Sequence, residues 1–519
     1  MTLKTRIPVI DVFAGPGGLA EGFHQVGWKQ GNPSFQIALS IEKDELAYKT
    51  LLLRNFFRQF PYGEAPDEYY QYLRDKKDPF KLFEMEKFTR QAEYAKAETW
   101  KGTLGSGDEF DHELDQRLFQ ILNGKSHWIL IGGPPCQAYS VIGRSRNKGI
   151  SGYVPEQDHR HFLYREYLRI IGKHEPAVFI MENVKGLLSA KLNGESIFAK
   201  IKQDMENPSL SSETGKRKRY HIFSLVKKPY TFDNSGTPVF SDRDFVIEAE
   251  HYGIPQKRHR VILLGVRDDL LGRGVKPKTL EIVSKIPLEN VLADLPKLRS
   301  GVSYAKDNPE IWREVLQEFP LRLLRNGVHD HLFEIVEKTI NSIVLPVSDL
   351  GGSFVSRTHE TLPGELPSWF EDVRLKGFLN HNSRTHMSSD LHRYLFAACF
   401  AKENRRSPKV SDFPYFLQPA HRNRDSGDFN DRFRVQLRDR PASTITSHLS
   451  KDGHYYIHPD PSQCRSLTVR EAARIQTFPD NYFFVGNRTQ QYIQVGNAVP
   501  PRLAFQIATI VEQFLTEVR

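Results

Sequence analysis

Cys136 stands in GGPPCQAYS, Gly132 to Ser140, in a setting that suits covalent chemistry. Pro134 and Pro135 stiffen the backbone before it, because each proline ring fixes φ. A thiol on a rigid loop beyond a strand is well placed for nucleophilic attack. A free thiol with a pKa of about 8.5 is only a few per cent thiolate at neutral pH, so a nearby cation would help. The plainer reading is a small buried hydrophobe, and a diproline on one side and a glutamine on the other suit that poorly. The remaining cysteines read differently: Cys399 in YLFAACF as core packing, Cys464 as an incidental residue of a connecting segment. Three sparse cysteines at wide spacing argue against a disulfide framework and against a zinc site, and no metal is expected.

Three further motifs carry candidate chemistry. FIMENVKGLLS, Phe179 to Ser189, places Glu182 and Asn183 at a strand end. HYGIPQKRHRVILLGVR, His251 to Arg267, presents Gln256, Arg258 and Arg260 at alternate positions, hence on one face of an extended segment. An acid with an arginine pair also reads as a simple ion pair. DVFAGPGGLAEGF, Asp11 to Phe23, runs from a strand through Gly15, Gly17 and Gly18 toward a helix. Glycines permit a sharp turn and close approach of the backbone to a ligand. Glu42, at the end of the next strand, can accept hydrogen bonds from ribose hydroxyls. These features alone fit NAD, FAD or S-adenosylmethionine, and also a tight turn with no ligand.

The elements that position these residues are β-rich runs alternating with helical stretches, the pattern of a parallel sheet covered by helices. The runs are Ile7 to Phe13, Ile37 to Ile41, Trp128 to Ile131, Val178 to Met181 and Val261 to Val266. Each motif begins at the carboxyl end of such a run, where functional residues of open α/β sheets gather. From about Leu270 to Arg438 this rhythm is lost, which predicts a second domain inserted in the first. The α/β pattern resumes near QVGNAVPP, Gln494 to Pro501, and closes with a helix over Leu503 to Glu517. Phe57 to Lys125 and Asp204 to Arg243 read as surface elaborations.

The chain of 519 residues is long enough for two or three packed domains. Its 39% hydrophobic and 26% charged content is that of an ordinary globular protein. No apolar run of membrane-spanning length occurs, and residues 1–11 lack a signal-peptide core, so a cytoplasmic protein is expected. A net charge of +9 suits a polyanionic partner without requiring one. His381 to Arg440 holds 12 Lys or Arg against 7 Asp or Glu, a surplus of 5, with Tyr394, Phe413, Tyr415, Phe416, Phe429 and Phe433 interleaved. That stretch reads equally as a nucleic-acid surface or as the solvated face of a small domain.

Taken together, the motifs closely resemble the DNA (cytosine-5)-methyltransferase family. They occur in that family's order: cofactor loop, Pro-Cys, Glu-Asn-Val, QxRxR, a variable region, then QxGNxV. Asp158, Arg160 and Leu163 match a further D-x-R-x-x-L element, and RSLTVREAARIQTFPD, Arg465 to Asp480, matches the one before the last motif. The resemblance covers about Ile7 to Arg267 and Arg440 to Ala504. It implies a Rossmann-like, S-adenosylmethionine-dependent lobe at 1–270, an inserted target-recognition domain at 271–439 and a C-terminal return at 440–519.

The resemblance also implies site roles. The Cys136 thiolate adds to carbon 6 of a cytosine flipped out of duplex DNA, which makes carbon 5 nucleophilic. Glu182 hydrogen-bonds or protonates ring nitrogen 3, and Arg260 holds the ring oxygen. Methylation at carbon 5 and loss of its proton then expel Cys136. Flipping the base costs a few kcal/mol. Arg144, Arg146 and Lys148 follow Cys136 on a loop suited to the phosphate backbone, and Gln256 and Arg258 are assigned to DNA contact. Phe13, Gly15, Gly17, Glu42, Pro134, Leu163 and Asn497 are assigned to the cofactor. Two departures stand out. Lys43 occupies a position that is often aromatic, and the acidic contact to the adenine amino group has only Asp108 as a candidate. The implied partners are duplex DNA and a cognate restriction endonuclease, with the enzyme a monomer. A tRNA substrate and a catalytically inactive DNA-binding relative are the alternatives. The long, basic second domain favours duplex DNA over the first, and the presence of Cys136, Glu182 and Arg260 weighs against the second.

Overall fold

The computed structural model describes residues 6–135, 163–192, 194–208, 218–272, 274–303, 306–328, 331–357, 365–419 and 432–518. Cys136, Arg144, Arg146, Lys148, Asp158, Arg160 and Phe429 lie outside them.

The motif-bearing runs all become neighbouring strands. β1 (Ile7–Val12), IPVIDV, is buried along its whole length, as expected of a strand covered on both faces. It is flanked in parallel by β2 (Phe35–Glu42) and β4 (Ile129–Gly132). Outside these, β3 (Thr99–Lys101) pairs with β2 and β5 (Val178–Val184) with β4, again in parallel. The fifth expected strand, His259–Arg267, departs from the all-parallel expectation. It runs antiparallel to β5, with Arg260 opposite Val184 and Ile262 opposite Glu182. Its two ends also pair antiparallel with Val246–Glu248 and Tyr220–Phe223.

Strand order reverses at β1, whose neighbours lead to β3 on one side and β5 on the other. A crevice opens at such a switch point beyond the carboxyl ends of the strands. Helix α1 (Gly18–Gln25) leaves β1 there, and α2 (Glu45–Arg58) leaves β2, capped by Asp44, which accepts from Leu46 N and Ala47 N. The closing helix, Pro501–Val518, lies against α1. The two helices meet so closely that a Cβ on Gly22 would fall 2.4 Å from the Ala504 Cβ.

The buried apolar side chains of the described residues gather in separate clusters. The sheet core runs to Leu280, then resumes only at Val499–Val518. Residues 442–498 pack instead with Leu288–Leu295, Phe370 and Phe378, because their apolar side chains face those segments rather than the sheet. A third core joins residues 302–343 to Leu391–Ala401, Phe413 and Phe433. Tyr394, Phe413 and Phe433 are thus packing residues, while Tyr415 is exposed. Of the region's arginines, Arg393 and Arg406 pair with Asp390 and Asp412. The stretch from Phe57 to Lys125 is more than a surface elaboration. Tyr69, Tyr70, Leu73 and Leu82 build a core with Leu375 and Leu379 of the second lobe.

Buried charge fixes the segment from Arg465 to Asp480. Arg465 is bidentate on Glu471, and Arg474 pairs with Asp480 and Asp294. Arg470 donates to the carbonyls of Leu379, Pro479 and Tyr482. Its basic residues are therefore internal braces. Among the described residues, no helix is long and apolar enough to cross a membrane.

Histidines in this lobe give it a pH dependence. Burial holds His381 and His458 at about 4 and lowers His386, His392 and His454. The unfolded chain takes up these protons near pH 6.5 and the folded chain only well below it. The second lobe therefore keeps its full stability above about pH 6.5 and loses it as the pH falls toward 4. At pH 5 the loss is about 2 kcal/mol for each of His381 and His458. Hydrogen exchange corrected for intrinsic rates should show residues 465–498 opening more readily at pH 5 than at pH 7. Equal protection at both pH values would refute this.

Candidate active site

A cavity of about 600 Å³ fills the crevice at the ends of β1, β2, β4 and β5. Phe13, Gly15, Glu42, Pro134, Leu163 and Asn497 all line it, and so do Glu182 and Arg260. The residues assigned separately to cofactor and catalysis therefore share one chamber.

The glycine loop forms one wall. Phe13 itself has a positive φ of 55° and Gly17 one of 89°, so the chain turns back sharply after β1. The turn is tied to β2 by Glu42, whose two oxygens accept from Gly15 N at 2.8 Å and Asp44 N at 2.8 Å. Gly18 has no room for a side chain, since a Cβ would come 2.1 Å from the Val499 carbonyl oxygen. Gly17 does not line the cavity; the space its Cβ would take is bounded by Leu51 and the Tyr482 hydroxyl. Beneath the loop, Asp11 is fully buried with neither oxygen hydrogen-bonded. Burial, reinforced by the charge of Glu42 and opposed by Arg58, pushes its carboxyl up to about 8, so it is mostly neutral at pH 7.

Glu182 and Arg260 form the opposite end. They face each other across the antiparallel pair of β5 and His259–Arg267, with Arg260 Nε 2.9 Å from Glu182 Oε1. The contact is an ion pair without hydrogen-bond alignment, so that oxygen retains its accepting capacity. Glu182 stands close beside β4: a Cβ on Gly133 would fall 3.0 Å from Glu182 Oε2, a tight contact that glycine relieves. Arg260 is steadied by its own strand through the His259 carbonyl at 2.9 Å. Asn183 donates to the Pro134 carbonyl at 3.2 Å. It thereby fixes the diproline, whose Pro135 reaches the cavity wall immediately before Cys136.

Two DNA-contact assignments need correction. Gln256 is fully buried and its carboxamide is engaged by Ile475 O, Gln476 Oε1 and Ile445 N. Arg258 is 2% exposed and donates to the carbonyls of Ile445 and Gly496 at 3.0 and 3.3 Å. Burial, together with the charge of Arg260, pulls its guanidinium down to about 9, which still leaves it protonated at pH 7. Both side chains bind the sheet to residues 442–498; Arg258 also borders the cavity beside Arg260, and neither reaches an outer surface. Asp108 begins the helix Asp108–Leu122 and does not line the cavity; the wall after β3 is Gly102, Thr103 and Leu104. Thr446, Ser447 and Ile493 are lining residues that no sequence motif marked.

A family profile described as C-5 cytosine-specific DNA methylase matches residues 88–210 and 369–513. The Type II methyltransferase M.Bpa9945I of Bacillus paralicheniformis is 32% identical over 525 residues, covering 98% of this chain and 99% of that protein. The chain belongs to the C-5 cytosine-specific DNA methylase family. Other similar methylases include M.ApeKI of Aeropyrum pernix, a DNA (cytosine-5-)-methyltransferase 26% identical over 77% of this chain and 84% of its own. M.DdeI of Desulfomicrobium norvegicum, a Type II methyltransferase, is 24% identical over 98% of this chain and 89% of its own. A solved structure described as an E. coli prophage-encoded DNA modification methyltransferase shares the fold, with a TM-score of 0.54 at 17% identity, covering 98% of this chain and 99% of that one.

Proposed function

We propose that this methylase modifies cytosine at a specific sequence of duplex DNA, through a covalent adduct of Cys136, as the modification partner of a restriction endonuclease. The observation that carries this reading is the single cavity with the glycine loop and Glu42 at one end and Glu182 with Arg260 at the other. A cavity of about 600 Å³ has the size of sites that hold cofactors and drug-sized ligands. The backbone at Gly18 and the carboxylate of Glu42 suit a nucleoside cofactor, and S-adenosylmethionine fits this donor set. When bound, S-adenosylmethionine supplies an electrophilic methyl group. Glu42 would hold its ribose, and Phe13, Leu163 and Asn497 the rest of the molecule.

The chain's own residues prepare the cytosine. Cys136 adds to carbon 6, and negative charge develops on the ring. Glu182, acting in its protonated form, donates a hydrogen bond to ring nitrogen 3 and so drains part of that charge, while Arg260 binds the exocyclic oxygen. Arg144, Arg146 and Lys148 are proposed to meet the phosphate backbone. Residues 271–439 are proposed to read the target sequence; within them, residues 302–343 pack with Leu391–Ala401, Phe413 and Phe433 around a core separate from the sheet's.

Bisulfite sequencing of DNA from cells expressing the chain should show one short motif protected at cytosine. Protection confined to RNA, or absent altogether, would overturn the DNA reading.

A further inference from the structure

The cofactor loop is gripped from outside its own lobe. Tyr482 is fully buried in the core formed by residues 288–295, 370–378 and 442–498, yet its hydroxyl donates to the Pro16 carbonyl. Pro16 lines the cavity, and the Gly17 Cβ position lies 3.0 Å from the same hydroxyl. The grip extends to the helix that follows. Arg54 lies 4.8 Å from the Tyr482 ring centre and donates to Asn481 Oδ1 at 3.0 Å. The same guanidinium is bidentate on Glu21 of α1. Adjacent residues Asn481 and Tyr482 thus hold the turn at Pro16 directly and α1 through Arg54.

We propose that Tyr482 is a positioning residue for S-adenosylmethionine, its hydroxyl fixing the Pro16 peptide and with it the Gly15–Gly18 turn. This rests on the reading that the cavity takes that cofactor. Tyr482 does not line the cavity itself, so it acts through the loop. A buried carbonyl deprived of this donor shifts to find another, and here the shift moves a wall of the cavity.

The test is Tyr482→Phe, which keeps the ring and removes only the hydroxyl. Tyr492→Phe is the matched control. Tyr492 is equally buried in the same core and donates to the Leu467 carbonyl at 2.6 Å, away from the loop. Calorimetric titration with S-adenosylhomocysteine should give binding about 3- to 10-fold weaker for Tyr482→Phe, the factor expected for one net hydrogen bond. Binding to Tyr492→Phe should match the unchanged protein. In turnover, Tyr482→Phe should raise KM for S-adenosylmethionine by a similar factor and leave kcat within about twofold. Unaltered binding by Tyr482→Phe, or equal weakening by both variants, overturns the proposal. An unchanged protein that binds no S-adenosylhomocysteine, or binds it equally well as Glu42→Ala, overturns the cofactor reading together with it.

Discussion

Duplex DNA carrying 5-fluorocytosine at the target site is expected to become covalently joined to this protein, and Cys136→Ser is expected to form no such adduct. If Cys136 adds to carbon 6, release after methylation requires removal of a proton from carbon 5. Fluorine there cannot leave as a cation, so elimination fails and the thioether persists through denaturing electrophoresis. Serine cannot replace the thiol, because its neutral hydroxyl is a far weaker nucleophile than a thiolate. The expected contrast is all or none, larger than any effect of altering a supporting residue. Formation of the methylated adduct should require S-adenosylmethionine. Trapping of fluorinated RNA with the duplex left free would instead assign an RNA substrate. If the unchanged protein gave no adduct with DNA known to contain the site, the covalent mechanism would be wrong.

Glu182→Gln is expected to slow methyl transfer by roughly 100- to 10,000-fold, the usual worth of a positioned general acid, while duplex binding changes little. Glutamine has nearly the same shape, so it fits beside Gly133, where the Glu182 oxygen now stands. What it lacks is the charge that faces Arg260 at 2.9 Å and the capacity to exchange a proton with the base. Both losses matter most as charge develops on the ring, so the deficit should fall on kcat rather than on DNA affinity. Single-turnover assays with gel-shift titrations separate the two quantities. Wild-type turnover in Glu182→Gln would remove this residue from the chemistry.

Much of the site was legible because its motifs encode backbone demands. Gly15, Gly17 and Gly18 specify a turn that other residues resist, and Pro134 and Pro135 specify rigidity. Both groups sit where an apolar run stops, which marks a strand end. Glu42, Glu182 and Arg260 could be placed from the same logic. The misassigned residues show where that logic ends. A strand arginine or glutamine has the same local pattern whether it reaches outward to phosphate or inward to carbonyls. Gln256 and Arg258 turn inward because Ile445, Ile475 and Gly496, about 190 to 240 residues away, supply the partners. Strand direction was equally hidden, since the apolar run Val261 to Val266 reads alike in either sense beside β5. Residues 442–498 looked like a return to the sheet because their motif follows the variable region. Only the facing side chains of Leu288–Leu295 and Phe378 show where they pack.

The contact between α1 and the closing helix has a consequence for how the protein is made. Gly22 leaves the ribosome about 480 residues ahead of Ala504, on the helix against which it is fitted. At 5 to 20 residues per second the interval is roughly 25 to 100 s. Throughout that time the face of α1 that meets the closing helix has no native cover. Val499, whose carbonyl abuts Gly18, arrives in the same late segment. The chamber therefore cannot reach its native form before residues 499–504 have emerged, however early its glycine loop and β1 are made.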